Sequence, residues 1–198
     1  MSAPTRTETR INTAKLVDLY VWALKQHRRK EAGLPSEWNQ SAWLTRRAES
    51  PLTVMGGCGT ACCFAGKTVL DAGYVPVYYD GDYHLGWNGA EDGDDTEYVI
   101  NVEKFLLGEE DMDTEDAKRS TEDVAREILG LNYDEAWALF TGDNNIEDAR
   151  RVISVLFEKA GEPLPEILLA ETGEEPEGWW RNWSGETDPR EKLLAYYV

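Results

Sequence analysis

The chain has 198 residues, of which 41% are hydrophobic and 29% charged, and its net charge is −18. Such a length and composition belong to a globular chain that can bury a core without staples, and they exclude a disordered or fibrous one. The excess of 38 acidic over 20 basic residues argues against direct nucleic-acid binding through phosphate contacts. The longest apolar stretches, such as 67–79, are interrupted and fall short of the roughly 20 residues that a membrane span needs.

The charge is unevenly spread. Residues 1–50 hold nine basic and five acidic side chains, whereas 101–150 hold five basic and fifteen acidic ones. A mildly basic front therefore precedes an acidic remainder. Such a field favours a protein partner with a basic surface, or serves solubility alone. The first ten residues, MSAPTRTETR, lack the apolar segment of a secretory signal and read as a flexible arm. Cys58, Cys62 and Cys63 are an odd, clustered set, which is a poor disulfide framework and suits reduced thiols in a cytoplasm.

Residues 11–30 read as an amphipathic helix. Leu16, Leu19, Tyr20, Ala23 and Leu24 recur at helical spacing, Asn12 is the N-cap, and His27, Arg28, Arg29 and Lys30 suit the negative end of the helix dipole. Gly33 and Pro35 stop it. Residues 37–45 carry Trp38 and Trp43 without a clear period, and 52–55 offers a short strand before Gly56, Gly57 and Gly59. Small and apolar residues predict a tightly packed helix over 60–72, closed by Gly73. Residues 74–79 alternate as a strand, Asp80-Gly81 is a turn signal, and 83–87 is the hairpin partner. After the acidic loop 91–95, residues 98–102 form another strand. These are too few strands for a doubly wound sheet.

Three helices follow. Ser120 and Asp123 resemble a capping box ahead of Val124, Ile128 and Leu129. Asn132 caps 133–140 with Glu135 in the reciprocal position, and Gly142 closes that helix. The third starts at residues 144–147 and presents Ile146, Ala149, Val152, Ile153, Leu156 and Phe157 on one face, ending at Gly161 and Pro163. Residues 164–170 make a short helix at best. An acidic, linker-like stretch over 171–177 leads to Trp179, Trp180 and Trp183, and Asp188-Pro189 caps a final helix. The organisation expected is an arm over 1–10, an α+β domain over 11–161, and a 162–198 segment that packs on the domain or on a partner. The fold class is α+β: one mostly helical domain with a small two- or three-stranded antiparallel β element.

Three chemistries can be placed on this chain. Residues 61–68, Ala-Cys-Cys-Phe-Ala-Gly-Lys-Thr, fit a relaxed Walker A pattern in which Gly66, Lys67 and Thr68 would meet phosphate and Mg²⁺. The loop residues are bulky and helix-compatible, and no run of βαβ units follows. Cys58 and Cys62 lie four apart and would share a helix face, where His27 or His84 could join them on zinc, although a second cysteine pair is missing. Asp80, Asp82, His84 and Glu91 echo a calcium loop, but Leu85 occupies the place of its glycine, and a polar hairpin turn explains them better. Two histidines allow no arguable Ser-His-Asp set. The eight tryptophans are unusual. Trp22, Trp38, Trp43, Trp87 and Trp137 fall in ordered segments and read as core or half-buried, whereas Trp179, Trp180 and Trp183 either fold back on the domain or anchor a partner protein.

Taken in order, Trp38-Asn-Gln40-x-x-Trp43, Cys58-Gly-Thr-Ala-Cys62-Cys-Phe-Ala-Gly66, Leu129-Gly-Leu131 and Glu135-Ala-Trp-Ala-Leu139-Phe140 resemble a group of uncharacterised proteins from actinobacteria and their phages. The resemblance covers about residues 38–160. It implies a small α-rich domain in a bacterial or host cytoplasm and supplies no catalytic residue. The group often carries an aromatic residue or His after Ala-Gly, so Lys67 alone creates the Walker-like match. The expected function is that of a non-enzymatic, acidic protein-binding protein, with no cofactor and no membrane. A phage-encoded modulator of a host factor and a nucleic-acid mimic are two versions of it. A nucleotide binder at Gly66-Lys67-Thr68 and a metal binder at Cys58 and Cys62 are the alternatives.

Overall fold

The computed structural model describes residues 10–41, 44–46, 60–80, 83–85, 98–101 and 119–170. The first helix, α1, spans Thr13–Glu31. Its start is set locally: the Asn12 side chain accepts the Lys15 amide at 3.1 Å, satisfying one of the amides that a helix start leaves open. Thr13, Leu16, Leu19, Tyr20, Ala23 and Gln26 face the core, and each fully buried Leu contributes about 1.5–3 kcal/mol. At the other end the Leu34 amide reaches the Arg29 carbonyl and the Gly33 amide reaches that of Lys30. This closing motif requires the left-handed conformation that Gly33 adopts, with φ +71°.

Strand β1 (Leu44–Arg46) pairs antiparallel with β2 (Thr60–Cys62), in the register Leu44 to Cys62. The same β2 end also receives residues 37–39: the Cys62 amide donates to the Glu37 carbonyl at 2.9 Å, and the Asn39 amide to the Cys62 carbonyl at 3.0 Å. This corrects the helix expected over 60–72. Helix α2 spans only Phe64–Asp71, because two neighbouring segments recruit Thr60–Cys62 into β pairing and Cys63 is extended. Small apolar residues permit a helix, and tertiary hydrogen bonding overrules the preference.

The expected strand over 74–79 divides into two. Strand β3 (Tyr74–Pro76) joins β6 (Tyr98–Asn101) and β7 (Arg119–Ser120) in a three-stranded antiparallel sheet of order β3-β6-β7. Strands β4 (Tyr78–Asp80) and β5 (Tyr83–Leu85) form a separate hairpin with Asp80 opposite Tyr83. The division falls beside Pro76, which has no amide to donate to a ladder.

Helix α3 (Thr121–Leu129) starts at Ser120 without a side-chain cap. The expected capping box is absent because Ser120 is held in β7 opposite Tyr98, and Asp123 bonds Arg126 at 2.9 Å instead. Helix α4 (Tyr133–Phe140) and helix α5 (Ile146–Ala160) do carry full capping boxes, Asn132 with Glu135 and Asn145 with Asp148. Helix α4 ends at Phe140 as expected, with Thr141 as its C-cap and Gly142 directly after it. A last turn, α6 (Glu166–Leu169), follows.

Helix α2 packs chiefly on α3, and α1 on α5. Phe64, Leu16, Leu19, Leu129, Leu139, Ile153 and Leu156 fill the space between them. The molecule is therefore a mostly helical α+β protein with a small antiparallel sheet. The chain does not leave the core at Gly161. The Glu162 carboxylate accepts from Arg10 and from the Thr13 hydroxyl, each at 2.6 Å, and Leu168 is fully buried. Among the described residues, no helix is long and apolar enough to cross a membrane.

Candidate functional site

The motif residues converge on one buried amide. The Gln40 Oε1 accepts the Trp38 indole N–H at 3.1 Å and the Phe64 backbone amide at 3.3 Å. Its Nε2 donates to the Leu139 carbonyl at 3.0 Å. One side chain thus joins the segment before β1, the start of α2 and the end of α4. The Trp38 ring also lies 6.0 Å from that of Phe64. These contacts give the Trp38-Asn-Gln40 motif a packing role.

Gly66, Lys67 and Thr68 lie inside α2. A single residue, Cys63, separates β2 from the helix, so no multi-residue loop exists there to curl its amides around phosphate. The Thr68 hydroxyl is fully buried and donates to the Phe64 carbonyl at 2.8 Å. Lys67 pairs with Asp71, which also takes the Lys15 ammonium at 2.6 Å. Burial alone would raise the Asp71 carboxyl, but its bonds to Lys15 and Lys67 outweigh that and hold it below its ordinary value. Lys67 further lies 5.7 Å from the Trp22 ring. Its charge is engaged in joining α1 to α2.

Cys62 and Cys63 are buried. Cys62 closes a strand, so the shared helix face expected for Cys58 and Cys62 does not exist, and Cys58 lies outside the described residues. His27 sits 3.6 Å from Glu31 and packs against the Trp38 ring edge. His84 belongs to β5. Among the described residues, no three His, Cys, Asp or Glu side chains are grouped for a metal. Asp82, Glu91, the acidic loop 91–95, Trp43 and Trp87 lie outside the described residues, as do Trp179, Trp180 and Trp183. Trp22, Trp38 and Trp137 are half-buried.

The surface feature that the sequence analysis missed is a groove of about 370 Å³ beside the second half of α1. It is lined by the apolar Val21, Leu24, Ala32, Leu34 and Ile167 together with Lys25, Arg28 and Arg29. Val21 and Leu34 are 43% and 53% exposed. The signal was present: Val21, Leu24, Lys25 and Arg28 follow helical spacing on a stripe offset from the core face. What the sequence did not show is that Ile167 of α6 completes the lining. Arg150 holds it there, donating through Nη1 to the Leu168 carbonyl at 2.8 Å. Arg150 also grips Glu147 with two bonds of 2.6 and 2.8 Å, and Glu147 is buried. Burial raises the nearby Tyr20 phenol, against an opposing pull from Arg150.

Lys25 and Arg28 form no ion pair among the described residues. The groove thus combines accessible apolar area with the cationic side chains of Lys25, Arg28 and Arg29, which is an arrangement for docking a segment with apolar and carboxylate side chains. Compared with protein-family models, curated proteins and solved structures, the chain matches none.

Proposed function

We propose that this protein works by binding another protein through the α1 groove. The observation that carries this reading is the sign of the site: an apolar groove whose lining includes Lys25, Arg28 and Arg29 on a chain of net charge −18. An open apolar surface with a charged rim is the usual anatomy of a protein contact. Net charge suggests a basic partner surface, but the groove itself takes carboxylates. The contacting segment of the partner is therefore amphipathic and acidic. Gly66-Lys67-Thr68 and the buried thiols serve packing in this reading, and no reaction is assigned to them.

The test compares capture of proteins from a bacterial lysate by the tagged full chain and by its Val21→Asp and Leu34→Asp variants. Both positions are exposed, so a charge there alters the groove and spares the core. A protein retained by the wild type and lost by both variants, with retention that falls as salt rises, is the expected result. Retention unchanged by either variant would refute the reading.

A further inference from the structure

The groove has a candidate occupant in the chain itself. Ile167, part of its lining, is three residues from Ala170, after which the chain continues for 28 residues beyond those described. The first part of that segment, residues 171–183, carries Glu171, Glu174, Glu175 and Glu177 against Arg181 alone, followed by Trp179, Trp180 and Trp183. This is the combination that the groove selects: carboxylates for Lys25, Arg28 and Arg29, and large apolar rings for Val21, Leu24 and Leu34.

Reach is sufficient. The nine residues from Ala170 to Trp179 span up to about 30 Å when extended. The groove runs along α1 from Val21 to Arg29, which is about 12 Å of helix. The tether also sets a local concentration on the order of millimolar, so even a weak contact is populated in the free protein. A second copy of the chain is a poorer occupant, because two bodies of charge −18 repel each other at moderate salt.

We infer that residues 171–183 dock in the α1 groove of the same molecule, and that a partner must displace them to bind. The inference rests on the reading of the groove as a protein-docking site and adds an internal competitor to it. The segment acts as a built-in brake: partner affinity drops by the fraction of molecules whose groove is already filled.

The experiment uses the full chain at low concentration. A carbodiimide joins carboxylates to amines without a spacer, and the joined peptides of the monomeric species are mapped by mass spectrometry. The expected product links Lys25 to Glu171, Glu174, Glu175 or Glu177. It should be largely lost in Arg28→Glu and in Leu34→Asp, both at exposed positions, and high salt should reduce it in the wild type. Reversing Glu174 and Glu175 to Arg in the Arg28→Glu background should restore the link through Glu171 or Glu177. Links from Lys25 only to other carboxylates, links to 171–177 confined to dimers, or a yield indifferent to both groove variants would overturn the inference. The two readings fail separately. A groove-dependent partner without the internal link removes only the competitor, and the link without a groove-dependent partner removes the binding function.

Discussion

Replacing Gln40 by Ala tests whether a single amide organises three segments. The side chain is buried, and its loss affects three groups differently. The Leu139 carbonyl keeps a second donor, the Asn144 Nδ2 at 3.1 Å, and loses little. The Trp38 indole is on a half-buried residue and can turn to water. The Phe64 amide, at the start of α2 inside the core, loses its acceptor outright, and a buried unsatisfied donor costs about 1–3 kcal/mol. Removing the methylene and amide volume adds about 1 kcal/mol of lost packing. The expected destabilisation is therefore about 2–4 kcal/mol, or roughly 5–12 °C in Tm for a domain of this size. Urea denaturation followed by both far-UV circular dichroism and tryptophan fluorescence measures it, with an unchanged m-value as the sign that the folded state is otherwise intact. Gln40→Glu keeps the acceptor and removes the donor to Leu139, so it should also destabilise at neutral pH and recover partly in acid. A loss below about 0.5 kcal/mol in Gln40→Ala, within the range of an ordinary surface change, would refute the assignment.

Three further outcomes follow from the same structure. In Gly130→Ala a Cβ would lie 2.3 Å from the Arg10 carbonyl oxygen, whereas at Gly161 nothing lies within 4 Å; both glycines have positive φ. Thermal melts should show about 1 kcal/mol lost at Gly161 from backbone strain and clearly more at Gly130, and equal losses would count against the close approach. Glu147→Ala strips the buried partner of Arg150 and Arg151; about 3 kcal/mol should be lost, and stability near wild type would show that the pair is not desolvated. Because the Asp71 carboxyl is held below its ordinary value, its contribution is fully present above the unfolded carboxyl value of about 3.9 and is lost as pH falls through the lower folded value. Asp71→Asn should thus flatten the acid limb of a stability–pH curve below about pH 4, and identical acid limbs in the two proteins would refute the pairing.

Much of the helical architecture is readable in the residues because its determinants are local. The Asn12 side chain caps the amide three residues on, Asn132 with Glu135 and Asn145 with Asp148 close boxes over three residues, and Gly33, Gly130 and Gly161 end helices in the left-handed conformation that other residues accept poorly. The buried stripe of α5 likewise follows from its period. Where sequence reasoning missed, a distant segment decided. Thr60–Cys62 is a strand because residues 37–39 and 44–46 pair with it, and Ser120 cannot cap α3 because Tyr98 holds it in a sheet.

The site divides in the same way. The order and types of Trp38, Gln40, Phe64 and Leu139 are plain in the chain, but only tertiary contact brings them together around one amide. The basic stripe at the end of α1 is likewise a property of the sequence. The groove is not, because its lining needs Ile167, whose turn is held by an Arg150 bond to a carbonyl 18 residues away. Periodicity and capping act within a few residues and can be read from them. Strand pairing, the Gln40 junction and the groove depend on segments far apart in sequence, whose meeting is decided by how the whole core packs.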